Sequence, residues 1–220
     1  PDDDLQFLVD TVISLAVDGN HRTLSIPKFR GSDARQGPHT ITITDDGMSL
    51  WPRLDPANHY REGSIATLSS GVDELDALLG GGITTGTVSF LSGPTGVGKT
   101  TTGLQFMIEA ATNGHRSVLY SFEESRRTIL TRAEKLNMPL RQQIDSGNVV
   151  IREVGTDELT LDEFTHRIRT EVEDEAAEIV MIDGITGYER AFNEADTDAD
   201  HHLVKIGQYL RNMNVTGIIT

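Results

Sequence analysis

No cysteine occurs among the 220 residues, which excludes a disulfide frame and any thiolate metal site. That agrees with a reducing compartment. Also missing is any apolar run approaching the length of a membrane span, and the opening Pro1-Asp2-Asp3-Asp4 is no signal peptide. A cytoplasmic protein is therefore expected. Lysine is scarce: only four of the 19 basic residues are lysine, against 34 Asp and Glu, for a net charge of −15. Acid excess with so little lysine reads as adaptation to high salt, where strong charge keeps a protein soluble. An ordinary acidic cytosolic protein is the alternative. Either way the negative field works against unaided binding to a nucleic-acid backbone, less so in molar salt, where it is screened. No basic, aromatic stripe compensates for it. Hydrophobic content of 37 % suffices for a core, and the length admits one sizeable domain plus a fragment, or two small ones.

What is present is most informative at Gly93-Pro94-Thr95-Gly96-Val97-Gly98-Lys99-Thr100-Thr101. This run fits the phosphate-binding pattern G-x-x-x-x-G-K-[ST]. The glycines let the backbone turn its N–H groups toward phosphates. Lys99 reaches the β- and γ-phosphates, and the Thr100 hydroxyl suits Mg²⁺. Thr87–Ser92 before it reads as a buried strand. Thr100–Thr112 after it reads as a helix with Leu104, Met107, Ile108 and Ala111 on one face. A glycine turn with no ligand is the bland alternative, and the strand–loop–helix context argues against it.

The first fifty residues differ from the rest. Thr11–Val17 and His21–Ile26 read as strands around the turn Asp18-Gly19-Asn20, and Thr40–Thr44 and Met48–Trp51 as two more, together a small antiparallel section. Pro52–Gly63, with two prolines, reads as a linker. Beyond Ser64, strands at Ser117–Phe122, Asn148–Val154, Glu178–Asp183 and Val215–Thr220 alternate with helices at Ser125–Leu136 and Ala199–Met213. A further helix opens on the capping box Thr160-Leu161-Asp162-Glu163. Such alternation predicts an α/β domain with a mostly parallel sheet flanked by helices.

Ile179–Asp183 is an apolar strand ending in a carboxylate, 84 residues after Lys99. It suits the acid that holds Mg²⁺ in a nucleotide site. Glu123 and Glu124 end another strand, where a carboxylate could polarise the water that attacks a γ-phosphate. A solvated helix N-terminus explains those two acids equally well.

At these residues a family resemblance appears. Ser69–Phe106 resembles the entry of a RecA-like ATPase domain of the KaiC type. Phe122-Glu123-Glu124-Ser125 is similar to that family's paired glutamates, and Ile182-Asp183-Gly184-Ile185-Thr186 to its magnesium strand, where the family more often has Ser at the place of Gly184. The resemblance implies Glu123 and Glu124 as catalytic carboxylates beside Lys99, with Glu123 the water-polarising one. It implies ATP and Mg²⁺ as cofactors, the metal held by Thr100 and Asp183, and Thr220 as a polar sensor of the γ-phosphate. Asp10–Gly31 and the stretch Thr40–Pro52 resemble the closing strands of a KaiC domain. By that resemblance Lys28 and Arg30 of Lys28-Phe29-Arg30-Gly31 act in trans on a neighbour's γ-phosphate. From the residues alone they are an ordinary strand-end pair.

The expected organisation is a closing β section of a preceding domain over 1–54, a linker over 55–67, and a KaiC-like ATPase domain over 68–220 that lacks its own closing strands. The β section at 10–51 is expected to pack onto the parallel sheet, in the same or a neighbouring molecule, because the sheet edge would otherwise be open. At the point matching the family's phosphorylated pair stand Gln6 and Phe7, so autokinase activity is not legible. The resemblance further implies a homo-oligomeric ring. The leading function is ATP hydrolysis in a regulatory or signalling module. The alternatives are an ATP-dependent binding switch and, less favoured by the acidity, a recombinase or helicase acting on DNA.

Overall fold

The computed structural model describes residues 8–18, 21–35, 37–155, 159–192 and 199–220. Gly19 and Asn20 of the expected turn, and Gln6 and Phe7, lie outside them.

Four antiparallel strands open the chain: β1 (Thr11–Asp18), β2 (His21–Phe29), β3 (His39–Thr44) and β4 (Gly47–Trp51), in that order across one sheet. A two-stranded ribbon, β5 (Thr67–Leu68) and β6 (Ile83–Thr84), brackets the short helix α1 (Asp73–Leu78). Then comes the alternation: β7 (Val88–Phe90), α2 (Lys99–Thr112), β8 (Ser117–Ser121), α3 (Arg126–Lys135), α4 (Leu140–Asp145), β9 (Val149–Glu153), α5 (Leu161–Glu173), β10 (Ile179–Asp183), α6 (Ile185–Phe192), α7 (Ala199–Asn212) and β11 (Thr216–Ile219). The five strands of the second part form one parallel sheet, ordered β7-β11-β10-β8-β9.

Every residue of β8 and β10 is buried, because helices cover both faces of the sheet. Successive side chains point to opposite sides. Leu119, Ile179, Met181 and Ile218 pack with α2, α3 and α4. Val118, Tyr120, Val180 and Ile182 pack with α5, α6 and α7 on the other face. Gly103 of α2 fits because the helix presses on the sheet there; a Cβ at that position would stand 2.7 Å from the Met181 sulfur.

The sequence reading places the sheet, its connections and the separate antiparallel section correctly, with element ends off by up to three residues. Ladder-like hydrogen bonds run past those ends, as in Leu91 N–H to the Ile219 carbonyl at 2.8 Å and Val154 N–H to the Ser121 carbonyl at 2.9 Å. Helices α1, α4 and α6 and the β5–β6 ribbon were not anticipated.

Within the chain one expectation is refined. Among the described residues the antiparallel sheet stays attached to the second part, but through α5 rather than along an edge of the parallel sheet. The Thr40 hydroxyl and backbone N–H both donate to Asp162 Oδ2, at 2.8 and 3.3 Å, and Trp51 packs on the His166 ring at 5.1 Å. The polar face of the sheet, with Thr40 and Trp51, finds partners on α5, whereas Ile13, Leu15 and Val17 of β1 stay exposed. Segment 52–63 carries a single 3-10 turn, Pro56–Asn58, and is fastened rather than loose. Asn212 Nδ2 donates to the Pro56 carbonyl at 2.8 Å, Arg61 N–H to the Asn212 carbonyl at 2.9 Å, and Leu54 joins the core beside α5 and α7.

Candidate phosphate crevice at the strand ends

Parallel strands deliver their C-terminal ends to one rim, and ligands bind in the crevice there. The glycine loop leaves β7 at this rim and enters α2. Gly96 (φ 82°) and Gly98 (φ 108°) take left-handed conformations that side chains resist, so the loop can wrap back on itself. Gly98 is also the N-cap of α2, and no side chain caps that helix. Its first N–H groups therefore remain available to an anion. Lys99 Nζ donates to the carbonyls of Gly93 and Pro94, at 2.9 and 3.3 Å, which holds the ammonium over the loop.

Opposite the loop stands Asp183 at the end of β10, 5 % exposed. Its Oδ1 accepts the Thr100 hydroxyl at 3.0 Å and also, by a short bond, the hydroxyl of Thr220. Thr220 is itself pinned between neighbours. Its N–H donates to the Ile182 carbonyl at 3.1 Å, and its carbonyl accepts the Ile185 N–H at 2.7 Å. Thr100 and Asp183 present hydroxyl and carboxylate oxygens, the hard donors Mg²⁺ prefers. The described residues hold no cluster of three His, Cys, Asp or Glu able to cage a metal. An ion here would draw its remaining ligands from water and phosphate, as Mg²⁺ commonly does.

Glu123 and Glu124 follow β8 and diverge. The turn between them and the strand is tied by the Ser121 hydroxyl, which donates to the Glu124 carbonyl at 2.8 Å, and by Phe122 N–H, which donates to the Asp183 carbonyl at 2.7 Å. Phe122 anchors this turn in a cluster with Phe164, Tyr188 and Phe192, at ring separations of 5.4, 5.5 and 5.9 Å. Glu123 is exposed, lines the crevice, and forms no ion pair among the described residues. Glu124 is instead bound by Arg132 of α3, Nη1 to Oε1 at 2.7 Å. Gly184 gives Glu123 room, since a Cβ at Gly184 would lie 3.1 Å from the Glu123 carboxyl carbon.

The loop, Lys99, Thr100, Asp183, both glutamates and Thr220 thus share one crevice of about 390 Å³. Of the loop residues, Thr101 lines it as well, while Val97 points to solvent, 62 % exposed. Lys28 and Arg30 are not part of it. They sit at the end of β2, where Arg30 pairs with Asp10 at 3.0 Å on the surface. Sequence reasoning missed Arg132, which also lines the crevice. Its signal was position: Arg132 falls three residues after Ile129 and beside Ala133, on the buried stripe of α3, where a guanidinium needs a partner. Thr186 lines the crevice too.

No helix among the described residues is long and apolar enough to cross a membrane. Comparison with known proteins gives a family. The family model for the KaiC ATPase matches residues 68–220. The circadian clock oscillator protein KaiC of Acaryochloris marina is 27 % identical over 219 residues, which is 98 % of this chain and 41 % of that protein. The KaiC of Synechococcus elongatus is also 27 % identical, over 98 % of this chain and 42 % of its own length. That of Parathermosynechococcus lividus is 28 % identical over 193 residues, 86 % of this chain and 36 % of its own. The chain spans about two fifths of the length of these relatives. With the matched region running from the ribbon before the phosphate loop through Thr220, this chain belongs to the KaiC ATPase family, with a RecA-like ATP-binding core.

Proposed function

We propose that this chain hydrolyses ATP with Mg²⁺ and serves a regulatory or signalling assembly. The observation that carries the proposal is the convergence of the phosphate loop, the Thr100–Asp183 pair and the unpaired Glu123 carboxylate in one crevice. Lys99 and the loop N–H groups bind the phosphates. Thr100 and Asp183 hold Mg²⁺, which when bound neutralises charge on the β- and γ-phosphates. Glu123 orients and polarises the attacking water, while Glu124 fixes Arg132 and the start of α3. Thr220 reads the γ-phosphate through its hydroxyl.

By the same family argument, residues 1–54 close a preceding KaiC-like domain, 55–67 connect, and 68–220 form the ATPase unit. Subunits assemble as a ring, so that Lys28 and Arg30 serve a neighbour's crevice. That neither lines the crevice of its own chain supports a role in trans. The protein works in the cytoplasm, and its acid surface suits a salt-rich one.

A second reading has its own support. If Lys28 and Arg30 complete the site only across an interface, a dispersed chain binds ATP without turning it over, as a switch. Phosphate release from Mg-ATP, measured beside sedimentation of the same samples, tests both. Hydrolysis abolished by Lys99→Ala and by Glu123→Gln supports the first reading. Tight ATP binding with no release from dispersed fractions, and release confined to assembled ones, supports the second. Stimulation by single-stranded DNA would instead favour a nucleic-acid role.

A further inference from the structure

A second cleft, of about 620 Å³, opens between the antiparallel sheet, the fastened segment and α7. It shares no residue with the phosphate crevice. Arg35, His39, Arg53, His59 and Lys205 line it. In a chain of net charge −15 this is a local reversal of sign. Two acids share the wall, Asp33 and Asp55. Both carboxylate oxygens of Asp55 are already engaged, accepting Ala57 N–H at 3.1 Å and Asn58 Nδ2 at 3.0 Å.

The basic groups are arranged as donors. Arg35 and Lys205 form no ion pair among the described residues. His39 is 5 % exposed and accepts the Arg53 backbone N–H on Nδ1 at 3.2 Å. Its neutral ring therefore carries the proton on Nε2, as a donor. His59 turns Nδ1 to Glu173 at 3.0 Å. Burial, then the fields of Arg169 and Arg35, hold His59 below its ordinary pKa despite Glu173.

Leu54 and Pro56 add an apolar patch to the lining. The volume falls within the range of small-molecule sites, about 300–1,000 Å³. Guanidinium forks match phosphate oxygens in pairs, and an ammonium supplies a point charge. We propose that this cleft binds a small phosphorylated organic molecule, its phosphate held by Arg35, Arg53 and Lys205 and its carbon skeleton lying on Leu54 and Pro56.

The test uses the full chain with its phosphate loop filled by a non-hydrolysable ATP analogue and Mg²⁺. Histidine ring signals are followed by NMR as glycerol 3-phosphate is added, with inorganic phosphate and glycerol in separate arms. The expected result is a joint, saturable shift of the His39 and His59 signals with glycerol 3-phosphate, a weaker one with inorganic phosphate, and none with glycerol. Arg35→Ala and Lys205→Ala should each weaken the effect about tenfold, the loss expected for one charged hydrogen bond. Circular dichroism of each variant establishes that it is folded, and Lys205→Gln replaces Lys205→Ala if it is not. Three results overturn the proposal: no saturable shift, unchanged affinity in the folded variants, or equal affinity for inorganic phosphate and glycerol 3-phosphate.

Discussion

Replacing Glu123 and Glu124 in turn by Gln should separate two roles that adjacent, chemically identical side chains would otherwise blur. The Glu124 and Arg132 side chains are only 28 % and 31 % exposed, and their ion pair is 2.7 Å long. Breaking a fully buried pair costs about 3–5 kcal/mol, and a fully exposed pair contributes about 0–1 kcal/mol. This pair lies between. Gln keeps an oxygen for Arg132 Nη1 but removes the charge, and its amide would sit where Oε2, itself without a partner, is buried. A loss of about 2 kcal/mol follows. For a chain of this size that lowers the melting temperature by about 4–8 °C. Glu123 is exposed and forms no ion pair among the described residues, so Glu123→Gln should change stability by no more than about 0.5 kcal/mol. The rate should respond in the opposite sense, with Glu123→Gln lowering ATP hydrolysis by about 10²–10⁴-fold, the usual contribution of a positioned general base. Thermal melts by circular dichroism and phosphate release on the same preparations read both quantities. A Glu124→Gln variant with an unchanged melting point would refute the energetic argument. A Glu123→Gln variant with full activity would refute the assignment of roles.

Three further outcomes are expected. Asp183→Asn should abolish the gain in ATP affinity that Mg²⁺ confers in calorimetric titration, because the amide oxygen can still accept Thr100 but cannot hold the cation; a persistent gain would move the metal elsewhere. Stability should fall on acidification in two stages. His59 is held below the ordinary histidine value of 6.5, chiefly by burial, so the unfolded chain takes up a proton first, and stability is lost as pH falls below about 6.5. Burial would raise Glu173, but hydrogen bonds from Arg169 and Tyr209 outweigh it and hold it below 4.5, so its contribution is lost as pH falls below that value. His59→Gln should erase the first stage in urea titrations at stepped pH and leave the second. Finally, the Tyr120 hydroxyl is buried with no partner, and burial pushes its pKa well up. Tyr120→Phe should raise stability by roughly 1 kcal/mol, and a lower melting temperature would show that the hydroxyl is satisfied in solution.

The parts of this fold that were legible in the sequence are those where local chemistry is nearly sufficient. Ile179–Asp183 could only be a buried strand, and Gly93–Thr101 could only bend in a few ways. Thr160 and Ser125 begin their helices by accepting N–H groups from Glu163 and Thr128, as their side chains favour. Helix α6 was missed because Gly187 sits inside it. That glycine is required by tertiary packing, since a Cβ there would stand 2.8 Å from the Phe122 Cβ. Arg132 was missed because its partner, Glu124, is eight residues away in the turn before α3, beyond helical spacing. The docking of the antiparallel sheet on α5 depends on Thr40 meeting Asp162 across 122 residues, which no local pattern encodes.

The two faces of the parallel sheet give the molecule a direction. The helix that rises from the phosphate loop, α2, lies on one face; on the other, the antiparallel sheet is fastened to α5 and the segment after it to α7. A displacement of the loop cannot reach that sheet by pushing one helix directly against the next. It passes either through the strands between them, where Gly103 of α2 presses on Met181, or around the rim, through Thr220 between β11 and α6 or the Phe122 cluster beside Glu123. Stiffness of the strands and of the rim thus decides whether the chain behaves as one lever or as two bodies that ignore each other.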